Sequence, residues 1–240
     1  MNVAMILSGG VGVRMGGGLP KQFIEVLGKP VLAYTLDKFE ASPHIDWIEV
    51  VCIPAYKERL QQIVARYGFR KVRLVVDSGE TYQESVVNGL TALREHCKPE
   101  DNVLIHFGVS PFVSEDEIAD SLEVCSKYGN AVACTPCYLC LCHKDDEVSS
   151  CTSIDRDMTM GLNSPQTFRF AVLCQLYEEG ERRGLLERIE PHTTSLMFSL
   201  NERLYFSKSS QRNIKITTRE DLELFEGYVL LQNKRKGEID

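Results

Sequence analysis

Asn2-Val3-Ala4-Met5-Ile6-Leu7-Ser8-Gly9-Gly10-Val11-Gly12-Val13-Arg14-Met15-Gly16-Gly17-Gly18-Leu19-Pro20-Lys21-Gln22-Phe23 is the stretch that decides the fold. An apolar run too short for a long helix breaks into glycines, then gives Arg14, Pro20 and Lys21 before helical spacing resumes. The pattern predicts a buried strand, a phosphate-binding loop and a helix. A triphosphate needs backbone N–H groups presented at close range, and residues without a Cβ let the main chain approach that closely. Ser8, Gly9, Gly10 and Gly12 meet that need. Arg14 and Lys21 add positive charge of the kind that phosphoryl or nucleotidyl transfer requires. The run holds no G-x-x-x-x-G-K-[ST], and Gly10-x-Gly12 is followed three residues on by Met15, which disfavours both a Walker loop and a dinucleotide site.

Outward from that stretch, apolar residues recur at helical spacing from Phe23 to Phe39, with Gly28-Lys29-Pro30 interrupting and Pro30 opening the main helix. Strands are expected at Trp47 to Ile53, Val72 to Val76, Asn102 to His106 and Ala131 to Thr135. Helices are expected at Ala55 to Tyr67, Tyr82 to His96, Ser114 to Lys127, Phe170 to Arg183 and Glu220 to Leu231, with a frayed tail from Asn233. Ser114-x-x-Glu117 is a capping-box pattern, and Val172, Leu176 and Tyr177 mark the apolar side of the Phe170 helix. Strand and helix alternate, so the chain predicts an α/β protein with a mostly parallel sheet and helices on both faces. Loops at the carboxyl ends of such strands form the ligand crevice, which places Gly79 in Asp77-Ser78-Gly79-Glu80-Thr81 beside the glycine loop.

Composition narrows the function classes. A net charge of −7 argues against general nucleic-acid binding, which draws on a surplus of Lys and Arg. No apolar stretch approaches membrane-spanning length and no basic leader precedes the first strand, so a cytoplasmic protein is expected. Nine cysteines without a secretory segment suggest free thiols. Cys134-Thr135-Pro136-Cys137-Tyr138-Leu139-Cys140-Leu141-Cys142-His143 carries two overlapping C-x-x-C spacings that would suit zinc. A continuous strand would send Cys140 and Cys142 to one face and Cys137 to the other, so no metal ligand is assigned.

Ser8-Gly9-Gly10-x-Gly12-x-Arg14-Met15 with Pro20-Lys21-Gln22-Phe23, joined later by Asn213-Ile214-Lys215-Ile216-Thr217-Thr218, resembles the signature of the cytidylyltransferases that act on methylerythritol phosphate and ribitol phosphate. The resemblance implies one Rossmann-like nucleotidyltransferase domain over residues 1–240, with a β-arm at about 137–156 that pairs two subunits. It also implies transfer of CMP from CTP to a polyol phosphate, ribitol 5-phosphate ahead of methylerythritol phosphate, with magnesium on the triphosphate. By the same resemblance Ser85, in Ser85-Val86-x-Asn88-Gly89-Leu90, matches a serine on the cytosine base, and Lys215 matches a lysine that reaches the α-phosphate. Arg156 and Ser164 match residues facing the acceptor phosphate, and Arg14, Lys21 and Lys215 become the charge-stabilising set.

The family's usual H-D-A-x-R-P is replaced by His106-Phe107-Gly108-Val109-Ser110-Pro111, without the acid expected beside nucleotide and metal and without the arginine. Pro191-His192-Thr193 also departs from the family pattern, and His192 reads as an ordinary loop residue although its type suits a general base. These departures keep open a relative that binds nucleotide or a partner protein without turnover. A thiol-metal protein on the same scaffold is a third reading.

Overall fold

The structure, a computed structural model, describes residues 1–10 and 18–237, so Gly12 and Arg14 lie outside the described residues. The opening run forms strand β1 (Asn2–Ser8), buried throughout from Val3 onward. Such two-sided burial marks a central strand of a parallel sheet. After a short 3-10 turn at Lys21–Phe23 and a small hairpin of β2 (Glu25–Val26) and β3 (Lys29–Pro30) comes helix α1 (Val31–Ala41). The chain continues through β4 (Trp47–Cys52), α2 (Lys57–Tyr67), β5 (Val72–Asp77), α3 (Tyr82–Leu93), β6 (Asn102–Phe107) and α4 (Glu115–Tyr128). It closes with β7 (Asn130–Pro136), β8 (Leu141–Cys142), β9 (Ser153–Ile154), β10 (Met160–Arg169), α5 (Phe170–Arg182), α6 (Thr193–Ser199), β11 (Phe206–Lys208) and α7 (Arg219–Lys236).

Seven strands form one sheet in the order β11-β7-β10-β6-β1-β4-β5. β1 pairs in parallel with β4 and β6, β4 with β5, and β11 with β7, while β10 runs antiparallel between β6 and β7. From β1 the chain builds outward through β4 and β5, then returns to add β6 on the other side. That reversal opens a crevice at the carboxyl ends of β1 and β6. Alternation along β1 fixes the layers: Ala4 and Ile6 pack with Leu36, Phe39, Leu60 and Leu122, whereas Val3, Met5 and Leu7 pack with Val86, Leu90, Leu173 and Leu196. Helices therefore cover both faces, and each fully buried side chain of this kind contributes about 1.5–3 kcal/mol.

Four local expectations need correction. The cysteine-rich segment is not a continuous strand: β7 stops at Pro136, which has no N–H to donate, and pairing resumes only at Leu141. Val172 is 40% exposed, because Leu173 and Leu176 take the core positions of α5 and turn Val172 outward. Helix α3 ends at Leu93 instead of His96. Helix α7 runs past Leu231 to Lys236, where Lys234, Arg235 and Lys236 complement the carboxyl end of the helix and Gly237, at φ +73°, caps it.

β8 and β9 form the stem of the arm expected at 137–156. Its tip is tied by Asp146, whose carboxylate accepts from the N–H groups of Val148 and Ser149, and by Asp145, which accepts from Cys151 N–H. Among the described residues no helix is long and apolar enough to cross a membrane.

Candidate active site

The carboxyl ends of β1, β5 and β6 open on a cleft of about 410 Å³ lined by Ser8, Gly9, Gly10, Lys21, Gly79, Ser85, Phe107 and Lys215 among others. Lys21 reaches it because its neighbours are anchored. Gln22 donates from Nε2 to the Ser8 carbonyl at 2.8 Å, and Phe23 stacks on Tyr56 at 5.1 Å. Both anchors are buried, so of the three side chains in the Lys21–Phe23 turn only that of Lys21 is not buried. Sequence reasoning missed the role of Gln22; its signal was its place directly after Lys21.

Gly9 and Gly10 differ in what their missing side chains allow. A Cβ on Gly9 would stand 2.6 Å from Ser78 Cβ, so Gly9 lets the first loop close on the Asp77–Thr81 loop. Among the described residues a Cβ on Gly10 would meet nothing within 4 Å. Ser85 Oγ accepts from Gly79 N–H at 3.1 Å and donates to the Thr81 carbonyl at 2.8 Å, fixing the second loop over the helix start. Ser8 Oγ is buried beside the cleft without a hydrogen-bond partner among the described residues.

Lys215 comes from the segment before α7. Ile216 N–H donates to the Val109 carbonyl at 2.8 Å, and Asn213 Nδ2 donates to the Ser164 carbonyl at 2.8 Å. With Asn213 and Ile216 buried, Lys215 is left to line the cleft. Its Nζ lies 3.6 Å from the centroid of the Phe107 ring.

Phe107 belongs to an aromatic cluster with Tyr82 at 6.2 Å and His192 at 6.0 Å. His192 also stacks on Tyr82 at 5.9 Å with ring planes 11° apart. Gln166 Nε2 lies 2.9 Å from His192 Nε2, and His192 Nδ1 lies 2.6 Å from Thr194 Oγ1. With the Gln166 amide as donor, this pattern assigns the proton to Nδ1, donating to Thr194. Burial and then the charge of Lys215 lower the His192 pKa and favour the neutral ring. Both ring nitrogens are engaged inside the fold, so His192 works as part of a wall and not as a base aimed at a substrate. Tyr82 and His192 in this role escaped the sequence reading, since nothing local joins residues so far apart.

The two residues expected at the acceptor phosphate stand apart from this cleft. Arg156 lies at the base of the arm, half exposed, with Asp157 3.9 Å away. Ser164 is fully buried beside the Asn213 segment, and its Oγ has no partner among the described residues. Neither lines the cleft of its own chain. His106, behind the cleft, is buried with Nε2 2.9 Å from the Ser110 carbonyl, and burial pushes its pKa down to about 4. Of the thiols around the arm, Cys134 is buried in β7 while Cys140, Cys142 and Cys151 are exposed. Among the described residues no three His, Cys, Asp or Glu side chains are grouped to hold a metal ion.

Fold and cleft define an α/β protein of the Rossmann-like class whose anion-facing loops and lysines meet at the carboxyl edge of a parallel sheet. The chain belongs to the family described as IspD, 2-C-methyl-D-erythritol 4-phosphate cytidylyltransferase, which residues 2–230 match. It is 35% identical over 229 residues to the ribitol-5-phosphate cytidylyltransferase of Lacticaseibacillus paracasei, covering 95% of this chain and 98% of that one. It is also 35% identical over 226 residues to the 2-C-methyl-D-erythritol 4-phosphate cytidylyltransferase of Clostridium acetobutylicum, covering 92% and 94%. Among solved structures, the 2-C-methyl-D-erythritol 4-phosphate cytidylyltransferase of Francisella tularensis superposes with a TM-score of 0.78 at 25% identity, over 93% of this chain and 97% of that chain.

Proposed function

We propose that the chain transfers CMP from CTP to a polyol phosphate, with ribitol 5-phosphate as the first acceptor to test and methylerythritol phosphate as the second. The observation that carries this reading is the convergence of Lys21 and Lys215, from two distant motifs, on one cleft floored by Ser8, Gly9 and Gly10. Family membership and relatives named for both acceptors support it. An oxygen of the acceptor phosphate attacks the α-phosphorus of CTP. The bond from that phosphorus to the bridging oxygen breaks, pyrophosphate leaves with the electron pair, and a CDP-polyol remains. The acceptor phosphate is already ionised, so the protein's work is to align two anions and offset their repulsion.

In this reading the loop amides hold the triphosphate, Ser85 stands beside the base, and Lys21, Lys215 and Arg14 carry the charge. Arg14 and Gly12 enter on their sequence motif, since they lie outside the described residues. Magnesium is proposed to arrive with the nucleotide as part of the substrate: Glu80 is the one carboxylate among the described cleft-lining residues, too few oxygen ligands for a protein-held ion, while the triphosphate supplies its own. A homodimer through the arm is proposed to bring Arg156 of one chain, with Ser164, to the acceptor phosphate.

The deciding experiment is pyrophosphate release with magnesium, CTP and each polyol phosphate, with Lys21→Ala as the blank. Release requiring both CTP and one acceptor supports the transferase and names its substrate. Lys21→Ala is expected to lose turnover at least a hundredfold while keeping its unfolding midpoint. A turnover unchanged in that variant removes Lys21 from the mechanism. CTP binding without release under every acceptor moves the assignment to a non-catalytic relative.

A further inference from the structure

We propose that Phe107 is a positioning residue acting through Lys215: its ring face holds the ammonium and aims that charge into the cleft. The observation is geometric. Lys215 Nζ sits 3.6 Å from the ring centroid, well inside the range of about 6 Å over which an aromatic face attracts a cation. Ring and lysine both line the cleft. The ring is held from behind by Tyr82 and His192 and is 8% exposed, so it offers a fixed surface. The two backbones are tied together two residues past the ring, where Ile216 N–H bonds the Val109 carbonyl.

The chemistry of the ring bears on what the lysine can do. A carboxylate under the ammonium would pair with it and take up its charge. An aromatic face attracts through its quadrupole and itself brings no opposing charge to the ammonium. The same charge reaches His192, where it helps keep the ring neutral. Phe107, which as a sequence feature reads only as a lost acid, thereby becomes part of the charge-placing apparatus.

The kinetic arm of the test rests on the transferase reading, whereas the spectroscopic arm does not. Phenylalanine analogues with one, two and three ring fluorines keep the shape of residue 107 while draining its face of negative charge stepwise; Phe107→Leu removes the face. Protons over an aromatic ring are shifted upfield, so the ε-methylene of Lys215, assigned by its disappearance in Lys215→Met, should be upfield of the other lysines and return to the common position in Phe107→Leu. A Lys215 signal at the common position in the wild-type protein overturns the placement, whatever the activity. In turnover, kcat with CTP and ribitol 5-phosphate should fall stepwise to about a tenth across the fluorine series, with Phe107→Tyr close to wild type. A wild type that turns over while the fluorine series stays flat overturns the positioning role but spares the transferase. Phe107→Leu combined with Lys215→Met should lose no more than Lys215→Met; a further loss of full size makes the ring act independently and sinks the proposal. If the wild type releases no pyrophosphate, the transferase reading fails and the Lys215 signal decides this proposal by itself.

Discussion

Glu49 is a carboxylic acid at zero exposure in the middle of β4, and neither of its oxygens has a hydrogen-bond partner among the described residues. It faces α3 at Gly89, where an added Cβ would come within 3.0 Å of Oε2. Burial raises its pKa well above the usual 4.5, so the fold favours the protonated acid. The stability this gives is complete below the unfolded pKa and is lost as pH rises toward the folded one. Glu49→Gln should therefore gain relative to wild type between pH 5 and pH 8, by about 1–3 kcal/mol. Because Gln also buries an unmet polar group, the informative quantity is the change with pH, read from urea midpoints at the two values. A pH-independent difference would show that Glu49 is not the source. His106 carries the opposite slope: with its pKa pushed down to about 4, stability is complete above pH 6.5 and is lost as pH falls through the interval to 4. The loss is worth about 3 kcal/mol from the size of that shift. It should persist in Glu49→Gln and vanish in His106→Gln.

At the scale of the element, α4 shows what a short pattern carries and what it leaves out. Ser114 Oγ accepts from Glu117 N–H and Glu117 accepts from Ser114 N–H, the capping box that the spacing predicts. Glu117 Oε1 also accepts from Ser210 N–H at 2.6 Å and Ser209 Oγ at 3.1 Å, at the start of the segment that ends in Lys215. Ser114→Ala should thus cost about 1 kcal/mol as an ordinary cap. Glu117→Ala should cost about 2–4 kcal/mol, since it leaves buried donors unmet, and should lower turnover by loosening Lys215. Urea unfolding and pyrophosphate release on both variants check this; equal losses would reduce Glu117 to its local role. The same division explains what was legible beforehand. Strands β1, β4, β5 and β6 and the meeting of Gly9, Gly10, Lys21 and Lys215 at one cleft were readable because period, turn chemistry and charge are local. The break after Pro136, the outward turn of Val172 and the extension of α7 were misread, since each turns on a proline, one helical step or a glycine cap rather than on periodicity. The meeting of Phe107, Tyr82, His192 and Lys215 was not legible, because four separate segments bring it about.

At the scale of the molecule, the cleft of one chain holds the residues proposed for the nucleotide that the structure describes and leaves Arg156 outside. The arm that carries Arg156 is exposed over most of its length, with Val148 at 94%. Exposed Phe198 and Phe206 border the same face, lining a hollow with Met158 and Met160. An arm that protrudes from its own fold and bears a cation expected at the acceptor phosphate suits a partner's cleft better than its own. In the proposed two-fold dimer, each complete site then combines Lys21 of one chain with Arg156 of the other. Lys21→Ala and Arg156→Ala should each be inactive as homodimers. If the two variants are unfolded together and refolded at equal concentration, half the dimers are mixed, and one of the two sites in each mixed dimer regains both residues. Activity should recover to about a quarter of wild type by this symmetry argument. Pyrophosphate release measures it, with light scattering to establish that the refolded species has twice the chain mass of 27.1 kDa. Recovery to near a quarter places Arg156 across the interface. Dimers that form without any recovery place Arg156 and Lys21 in the same chain's site, and then the arm would have to fold back over the cleft that bears its own lysines.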